Sequence, residues 1–404
     1  MNTKRAWIVA IVTIFAGIAL ALVQNKVAPC MTTLMEAFQI DMGTAGWLSS
    51  LFNLVGIAMA IPASIVLNKL GAKKGGIIAL ICAIAGSVIG LMTTAIPVLM
   101  LSRVIEGLGV GLIGVIGPSL ISMWFPETKR GLPMAIWSAY QMGAQAVMFF
   151  VAGVVTTSFG WQGMWIFGAA ACVIALVFYI ICIKTPRPEE NYADVEGENV
   201  SLAEGMKTPG AWIMALVTMF FCIACFGFVN WIATAWVQNF SWTEAEANVW
   251  VGYFSLGGVI AAVIIGAVLS KIRNRKVFGS VALVLYGVVS IVGMSMPTPT
   301  FILAFTIVYP FVDASFPCVL WTMAAQTVKK PELAGVALGV VNIGFNTGIL
   351  LGPPIVGALA GAFGWAITSY FICGFCVIAA ILLLFVKVYS AEDVAKEVPA
   401  EAAE

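Results

Sequence analysis

Long apolar runs constrain this 404-residue chain more than any other feature of its sequence. A helix that crosses a bilayer needs about 20 mostly apolar residues, and twelve such runs follow one another. Because 61% of the residues are hydrophobic and only 10% are charged, the chain cannot cover a water-facing surface. The sequence therefore predicts an all-α membrane protein with twelve transmembrane helices. The predicted spans are 6–28, 46–67, 76–95, 98–121, 132–156, 164–183, 211–235, 247–269, 277–296, 300–324, 335–360 and 366–388.

The same composition excludes several classes of function. The chain has no histidine, so it lacks imidazole acid–base chemistry and histidine metal ligands. Two Cys-x-x-Cys pairs begin at Cys222 and Cys373, but both lie inside predicted spans and are interpreted as packing residues. No nucleophile–base set and no phosphate-binding loop occurs. We expect a protein that is not an enzyme, needs no cofactor or metal and does not bind nucleic acid.

The basic residues predict how the chain is oriented in the membrane. If every predicted span crosses, eighteen of the 20 Lys and Arg residues lie on one side, and the other two, Lys26 and Arg103, fall inside spans. The opposite side carries acidic residues alone. Basic loops mark the cytoplasmic face. We therefore predict a multi-pass protein of the cytoplasmic (inner) membrane, with both termini in the cytoplasm.

The two halves of the chain repeat one another. One ungapped block, at an offset of 202 residues, matches the stretch from Phe52 to Lys74 with Phe254 to Lys276. A second, at an offset of 204, matches Gly131 to Trp161 with Gly335 to Trp365. Duplicated six-helix units are typical of transporters whose substrate binds between the halves. The predicted divisions are a bundle at 1–183, a polar cytoplasmic linker at 184–210, a second pseudo-symmetric bundle at 211–390 and a cytoplasmic tail at 391–404.

Two motifs identify a family resemblance. Asn68-Lys69-Leu-Gly71-Ala-Lys73-Lys74 follows span two, with a weaker copy after span eight, and span four contains Arg103-Val-Ile-Glu106-Gly107-Leu-Gly109. In these motifs the chain resembles the major facilitator superfamily. The resemblance implies a monomer that transports solutes by alternating access, although Asn68 replaces the family's acidic residue. It also implies that the cytoplasmic gate is formed by Asn68, Lys69, Gly71, Lys73, Lys271 and Arg275.

Outside the cytoplasmic basic clusters, four ionisable residues lie within the spans, where each costs several kcal/mol at the bilayer centre and so indicates a function. Arg103 and Glu106 share a helix face and are candidates for anion binding and proton coupling, or a self-neutralising packing pair. Asp313 is a second candidate for proton coupling, or a neutral acid bonded to backbone. Lys26 is a candidate for substrate binding, or a lysine that extends to the membrane surface.

Uncharged polar residues complete the candidate substrate site. Gln141 and Gln145 share one face of span five, and Asn342 and Asn346 share one face of span eleven. Any one of these residues could instead hold helices together. The full predicted set of substrate-binding residues is Asn25, Lys26, Arg103, Tyr140, Gln141, Gln145, Asn230, Trp231, Asn342 and Asn346.

Together these features predict a secondary transporter for a small hydrophilic solute. The loop from Trp124 to Gly131 resembles a Trp-Phe-Pro…Arg-Gly stretch found in the organic-acid, oxalate–formate and cyanate/nitrate branch, and the basic residues of spans one and four favour an anion. Its expected partners are that solute, membrane lipid and protons. The alternative is a proton-driven drug or metabolite efflux antiporter, although the Gly-Pro-x-x-Gly-Gly motif of such exporters is missing from 132–156.

Overall fold

The computed structural model describes residues 3–59, 62–184, 186, 191–192, 208–269, 271–272, 274–295, 299–328 and 333–389, and these residues form helices and no strands. The all-α prediction is therefore confirmed. The helices are α1 Thr3–Asn25, α2 Met31–Phe38, α3 Met42–Ser50, α4 Phe52–Ala58, α5 Pro62–Met92, α6 Ile96–Trp124, α7 Gly131–Cys182, α8 Pro209–Phe240, α9 Glu244–Leu269, α10 Arg275–Ser295, α11 Pro299–Ala324 and α12 Ala334–Phe385. Most of the predicted linker and all of the tail at 391–404 lie outside the described residues.

Three glycines turn long helices into pairs of membrane spans. Helices α7 and α12 each contain 52 residues, more than twice the length that crosses a bilayer. Each reverses at a glycine with a positive φ, Gly160 at 61° and Gly364 at 76°. Gly71 does the same within α5 at 77°. Because glycine lacks a Cβ, it adopts these angles without strain. With these turns, the described helices make the twelve predicted passes.

The turns at Gly160 and Gly364 occupy matching positions of the repeat, since they are the two glycines aligned at the offset of 204 residues. The second block of the repeat thus corresponds to a shared structural device. The pseudo-symmetric two-bundle architecture predicted from it is confirmed.

The second span is broken, which the sequence did not predict. In place of one helix over 46–67, the chain forms α3 and α4 on either side of Leu51 and continues into α5. The carbonyl of Leu48 accepts a hydrogen bond from Arg103 Nε at 3.2 Å, and Leu54 N–H donates to Leu51 at 3.1 Å in a tighter turn. A side chain that inserts into the backbone ladder is a known cause of helix breaks.

The two halves are in contact at one end of the molecule. Gly46 lies against the backbone of Pro353 so closely that a Cβ would clash. At the same end, the Thr33 hydroxyl donates to Glu244 Oε2 at 2.6 Å. The Asn248 amide likewise donates to the carbonyl of Pro29 at 2.6 Å. This end, which holds the acidic loops, is closed.

The opposite end is open. Along the face of α12 that turns towards the first half, Gly339 and Asn342 are exposed, Asn346 is half-buried, and Ile349 and Pro353 are buried. Exposure therefore increases towards the start of α12. From this increase we infer that a cleft between the halves opens at the end where the basic loops lie.

Candidate substrate site between the two halves

A buried network of charges lies inside the first half. Glu106 on α6 accepts hydrogen bonds from two cations: Lys26 Nζ lies 2.5 Å from Oε1, and an Arg103 guanidinium nitrogen lies 2.5 Å from Oε2. Ser87 on α5 accepts from Lys26 at 3.1 Å and donates to Glu106 Oε1 at 2.8 Å. Lys26, Arg103 and Glu106 are 0%, 0% and 1% exposed. Two cations around one carboxylate leave one excess positive charge.

Arg103 also connects three helices through backbone carbonyls. It donates to Val23 and Gln24 at 2.9 Å each, in the last turn of α1, and to Leu48 in α3. The final carbonyls of a helix have no partners within that helix, and a cation at this end also compensates the helix dipole. The polar groups at the end of α1 and the break in the second span are therefore stabilised by the same guanidinium.

An aromatic ring lies next to each of the two cations. Lys26 Nζ lies 4.3 Å from the ring centroid of Trp165, and the Arg103 guanidinium carbon lies 5.3 Å from that of Phe52. The structure thus places Lys26 in the core of the first half, so the interpretation of a lysine extending to the membrane surface is wrong. Neither cation lines the cavity between the halves in this conformation, and their direct contact with substrate stays a prediction.

A small polar cavity lies next to this network, because Gln24 and Phe52 both line it and both contact Arg103. Its volume is about 30 Å³, room for about two water molecules, and both halves contribute to its wall. Of the predicted substrate-binding residues, Asn25, Gln145 and Asn230 line it. Its remaining polar lining was missed as a binding surface: Gln24, Ser49, Ser50 and Asn53. A signal was present, because Ser49, Ser50 and Asn53 interrupt an apolar span.

Hydrogen bonds within the lining connect the two halves. The Ser49 hydroxyl donates to Asn230 Oδ1 across the interface, and the Asn230 amide donates to Phe226 in its own helix at 2.8 Å. Asn25 donates to Ala21 at 2.9 Å. In contrast, Ser50 Oγ and Asn53 Nδ2 are buried and have no hydrogen-bond partner within the protein.

The other predicted substrate residues fall into two groups. Gln141 donates to Gln24 at 3.1 Å, next to the cavity, and Asn342 and Asn346 lie on the open part of the cleft. Trp231 is fully buried, and its indole N–H donates to the carbonyl of Pro353 at 2.7 Å. In this conformation Trp231 packs between α8 and α12, and its contact with substrate stays a prediction.

Tyr140 packs against the ring of Trp137, with centroids 4.6 Å apart, and is half-buried beside Gln141. It is positioned by an aromatic contact within its own helix. It is not among the residues that line the cavity, and its role in binding stays a prediction.

Asp313 belongs to a separate cluster in the second half. Cys225 Sγ lies 3.4 Å from its Oδ1, and the hydroxyls of Tyr286 and Tyr309 lie 2.9 Å apart nearby in the same core. Within the described residues, the two ion pairs both involve Glu106, so no cation pairs with Asp313. Asp313 therefore differs from Glu106, whose carboxylate contacts two cations.

The predicted gating residues lie at the open end. Lys69 and Lys271 are exposed, Gly71 forms the turn within α5, and Arg275 begins α10. Lys73 Nζ donates to the carbonyl of Ile180 at 2.7 Å, a contact within the first half. The side chain of Asn68 lies outside the described residues. Their gating role stays a prediction.

The fold and the cavity define a class of protein: a multi-pass membrane protein with two six-helix bundles around a central polar site. The sequence matches the Major Facilitator Superfamily over residues 9–237 and 214–403, and the chain belongs to this family. Its members are membrane transporters and not enzymes, in agreement with the sequence prediction.

Individual relatives are more distant. The chain is 22% identical over 389 residues to a probable galactarate/D-glucarate transporter of Bacillus subtilis, covering 86% of this chain and 85% of that protein. It is 27% identical over 180 residues to the galactose-proton symporter of Escherichia coli, covering 45% of this chain. That alignment spans only 38% of the symporter's length, and the first relatives in general are covered over less than two thirds.

A solved structure shares the fold. The bacterial homologue of the human lysosomal transporter Spinster, in an inward-facing and unoccupied conformation, superposes with a TM-score of 0.83 over 99% of this chain and all of that one. The two sequences are 14% identical. The organic-acid branch suggested by the loop from Trp124 to Gly131 stays a prediction.

Proposed function

We propose that this protein is a secondary active transporter that moves a small hydrophilic anion across the cytoplasmic membrane by alternating access. One observation carries the proposal: a cavity lined by amides and hydroxyls lies between the halves, directly in front of a buried network with one excess positive charge. Neutral hydrogen-bonding groups provide recognition, and the excess charge favours an anion.

The route from the charge to the cavity is short. Phe52 lines the cavity, and its ring also contacts the Arg103 guanidinium. Gln24 also lines the cavity, and its carbonyl accepts from Arg103. Because a protein interior screens charge far less than water does, the excess charge acts across these two residues on a solute in the cavity.

The open cleft supports an inward-facing state. With the basic loops assigned to the cytoplasm, both termini lie there and the cleft opens to the cytoplasm. The solved Spinster homologue with the same fold is likewise described as inward-facing.

The relatives support the choice of solute and of energy source. One is named for galactarate and D-glucarate, which are carboxylate anions, and another is a galactose-proton symporter. For this chain we place proton coupling on Asp313 in preference to Glu106. Protonation of Glu106 would leave two buried cations without a counter-ion, whereas no described cation depends on the charge of Asp313.

Uptake into proteoliposomes tests this function. We expect accumulation of radiolabelled D-glucarate or another small carboxylate under an inward proton gradient, and no accumulation of the neutral polyol D-glucitol. Asp313→Asn should abolish the dependence on the gradient but retain exchange of solute for solute. Glu246→Gln is the matched control, since Glu246 is exposed and bonds only to Thr243.

Two outcomes would contradict the proposal. If only neutral solutes are transported, the proposal that the solute is an anion is rejected. If transport by Asp313→Asn still depends on the proton gradient, the assignment of Asp313 as the proton-coupling residue is rejected. Gradient-driven export of lipophilic drugs without any carboxylate uptake would instead favour the efflux antiporter.

A further inference from the structure

Two hydrogen-bond donors in the cavity have no partner. Ser50 Oγ and Asn53 Nδ2 are buried, with their residues 1% and 6% exposed, and neither is hydrogen-bonded within the protein. More than nine in ten buried polar groups in folded proteins do have a partner. Two unpartnered groups in the wall of one small cavity therefore need a hydrogen-bond partner inside it, which is either water or a group of the solute.

The broken second span brings these donors to one place. Ser50 is the last residue of α3 and Asn53 the second of α4, so they lie three positions apart on a nearly helical path. Residues three apart share a helix face, and both line the cavity. Their polar neighbours Ser49 and Asn230 are bonded to each other. Among the described residues that line the cavity, Ser50 Oγ and Asn53 Nδ2 are the buried side-chain atoms that have no hydrogen-bond partner.

Arg103 contacts the segment of the second span that carries Ser50 and Asn53. Arg103 bonds the carbonyl of Leu48 and contacts the ring of Phe52. The carboxylate of Glu106 is occupied by Lys26 and Arg103 and lines no part of the cavity. The two donors thus lie on a segment that Arg103 contacts, beside one excess positive charge and without an acidic residue in the cavity wall.

We propose that Ser50 and Asn53 form a carboxylate subsite that holds one carboxylate of the transported anion, a proposal that rests on the function above. A carboxylate has two oxygens that accept hydrogen bonds, one for each donor. Its single negative charge matches the single excess positive charge. A cavity of about 30 Å³ admits such a head group in place of water, while the rest of the solute extends into the open cleft towards Asn346.

Binding to the purified, full-length protein in nanodiscs tests the subsite. The probes are D-glucarate, D-gluconate, succinate and L-lactate, each compared with its amide, and the measurement is the dissociation constant by calorimetry. We expect Ser50→Ala and Asn53→Ala each to weaken binding of the preferred acid about tenfold, the scale of one hydrogen bond to a charged group. The amides should be nearly unaffected.

Two further variants separate recognition from folding. Ser50→Thr keeps the hydroxyl and should bind the acid like the wild type. Asn53→Asp places a carboxylate opposite the solute and should weaken acid binding more than Asn53→Ala does. Ser119→Ala is the control, because Ser119 bonds to Val115 within α6 and does not line the cavity.

The results distinguish this proposal from the proposed function. Suppose that the wild type binds and transports an acid, and that both alanine variants bind this acid as tightly as the wild type does. Ser50 and Asn53 then donate only to water, and the subsite is rejected while the proposed function stands. If no acid in the panel binds the wild type, the subsite and the anion are both rejected. If an amide binds better than its acid, the excess charge does not select the solute.

Discussion

The charge balance of the buried network predicts the effect of removing its one carboxylate. In the wild type, the carboxylate of Glu106 lies between Lys26 and Arg103, with a contact of 2.5 Å to each cation. In Glu106→Gln the two cations lose this negative charge between them and repel one another. At about 6 Å and an effective dielectric constant of about 20, two unit charges repel by about 3 kcal/mol. Because breaking a buried pair costs about 3–5 kcal/mol, we expect the free energy of unfolding to fall by that amount.

Two further variants test the reasoning through the net charge. Lys26→Met leaves the contact between Arg103 and Glu106 intact in a neutral network, so we expect a smaller loss than for Glu106→Gln. The double variant Lys26→Met/Glu106→Gln leaves one buried cation instead of two. It should therefore be more stable than Glu106→Gln alone, although it carries one more substitution.

The assay is unfolding in detergent micelles, followed by tryptophan fluorescence during titration with a denaturing detergent. A double variant that is less stable than Glu106→Gln would refute the charge-balance argument. So would a Glu106→Gln protein as stable as the wild type, since the carboxylate would then not be the counter-ion of the two cations.

Three other features make separate predictions. Gly364→Ala should cost about 1–3 kcal/mol, since its backbone angles are accessible almost only to glycine, as measured by the same unfolding assay. Asp41 caps α3 by accepting from the backbone N–H and hydroxyl of Thr44, and these bonds hold its pKa below the ordinary 3.8. Asp41→Ala should therefore cost about 1 kcal/mol at neutral pH, a difference that disappears as the pH falls through the lowered pKa. Glu244→Ala removes the acceptor of Thr33 across the closed end and should accelerate amide hydrogen exchange over 31–38 by roughly ten- to hundredfold; unchanged exchange would mean that this contact does not hold the halves together.

Much of the fold was predictable because its cause is local. The apolar runs follow from the length a helix needs to cross lipid. The aligned glycines of the repeat, Gly160 and Gly364, mark the turns between successive spans. The break at Leu51 was not predictable in this way, because it coincides with a contact from Arg103 on another helix.

The candidate site was predicted only in part, for a related reason. An ionisable residue in a span must find a partner, so Lys26, Arg103 and Glu106 could be selected from the sequence. That Lys26 pairs with Glu106, 80 positions away, depends on how α1 and α6 pack. The same packing places Lys26, Arg103 and Glu106 next to the cavity but outside its lining. Ser50 and Asn53 line the cavity instead.

The sequence by itself determined the number of spans, the duplication and the cost of the buried charges, because each follows from the transfer of particular side chains into lipid. The tertiary structure alone decided which partners meet: Ser49 with Asn230 across the halves, and Glu106 between two cations. Hydrogen bonds and ion pairs act over a few ångströms, so their choice of partner is settled only when distant helices pack side by side.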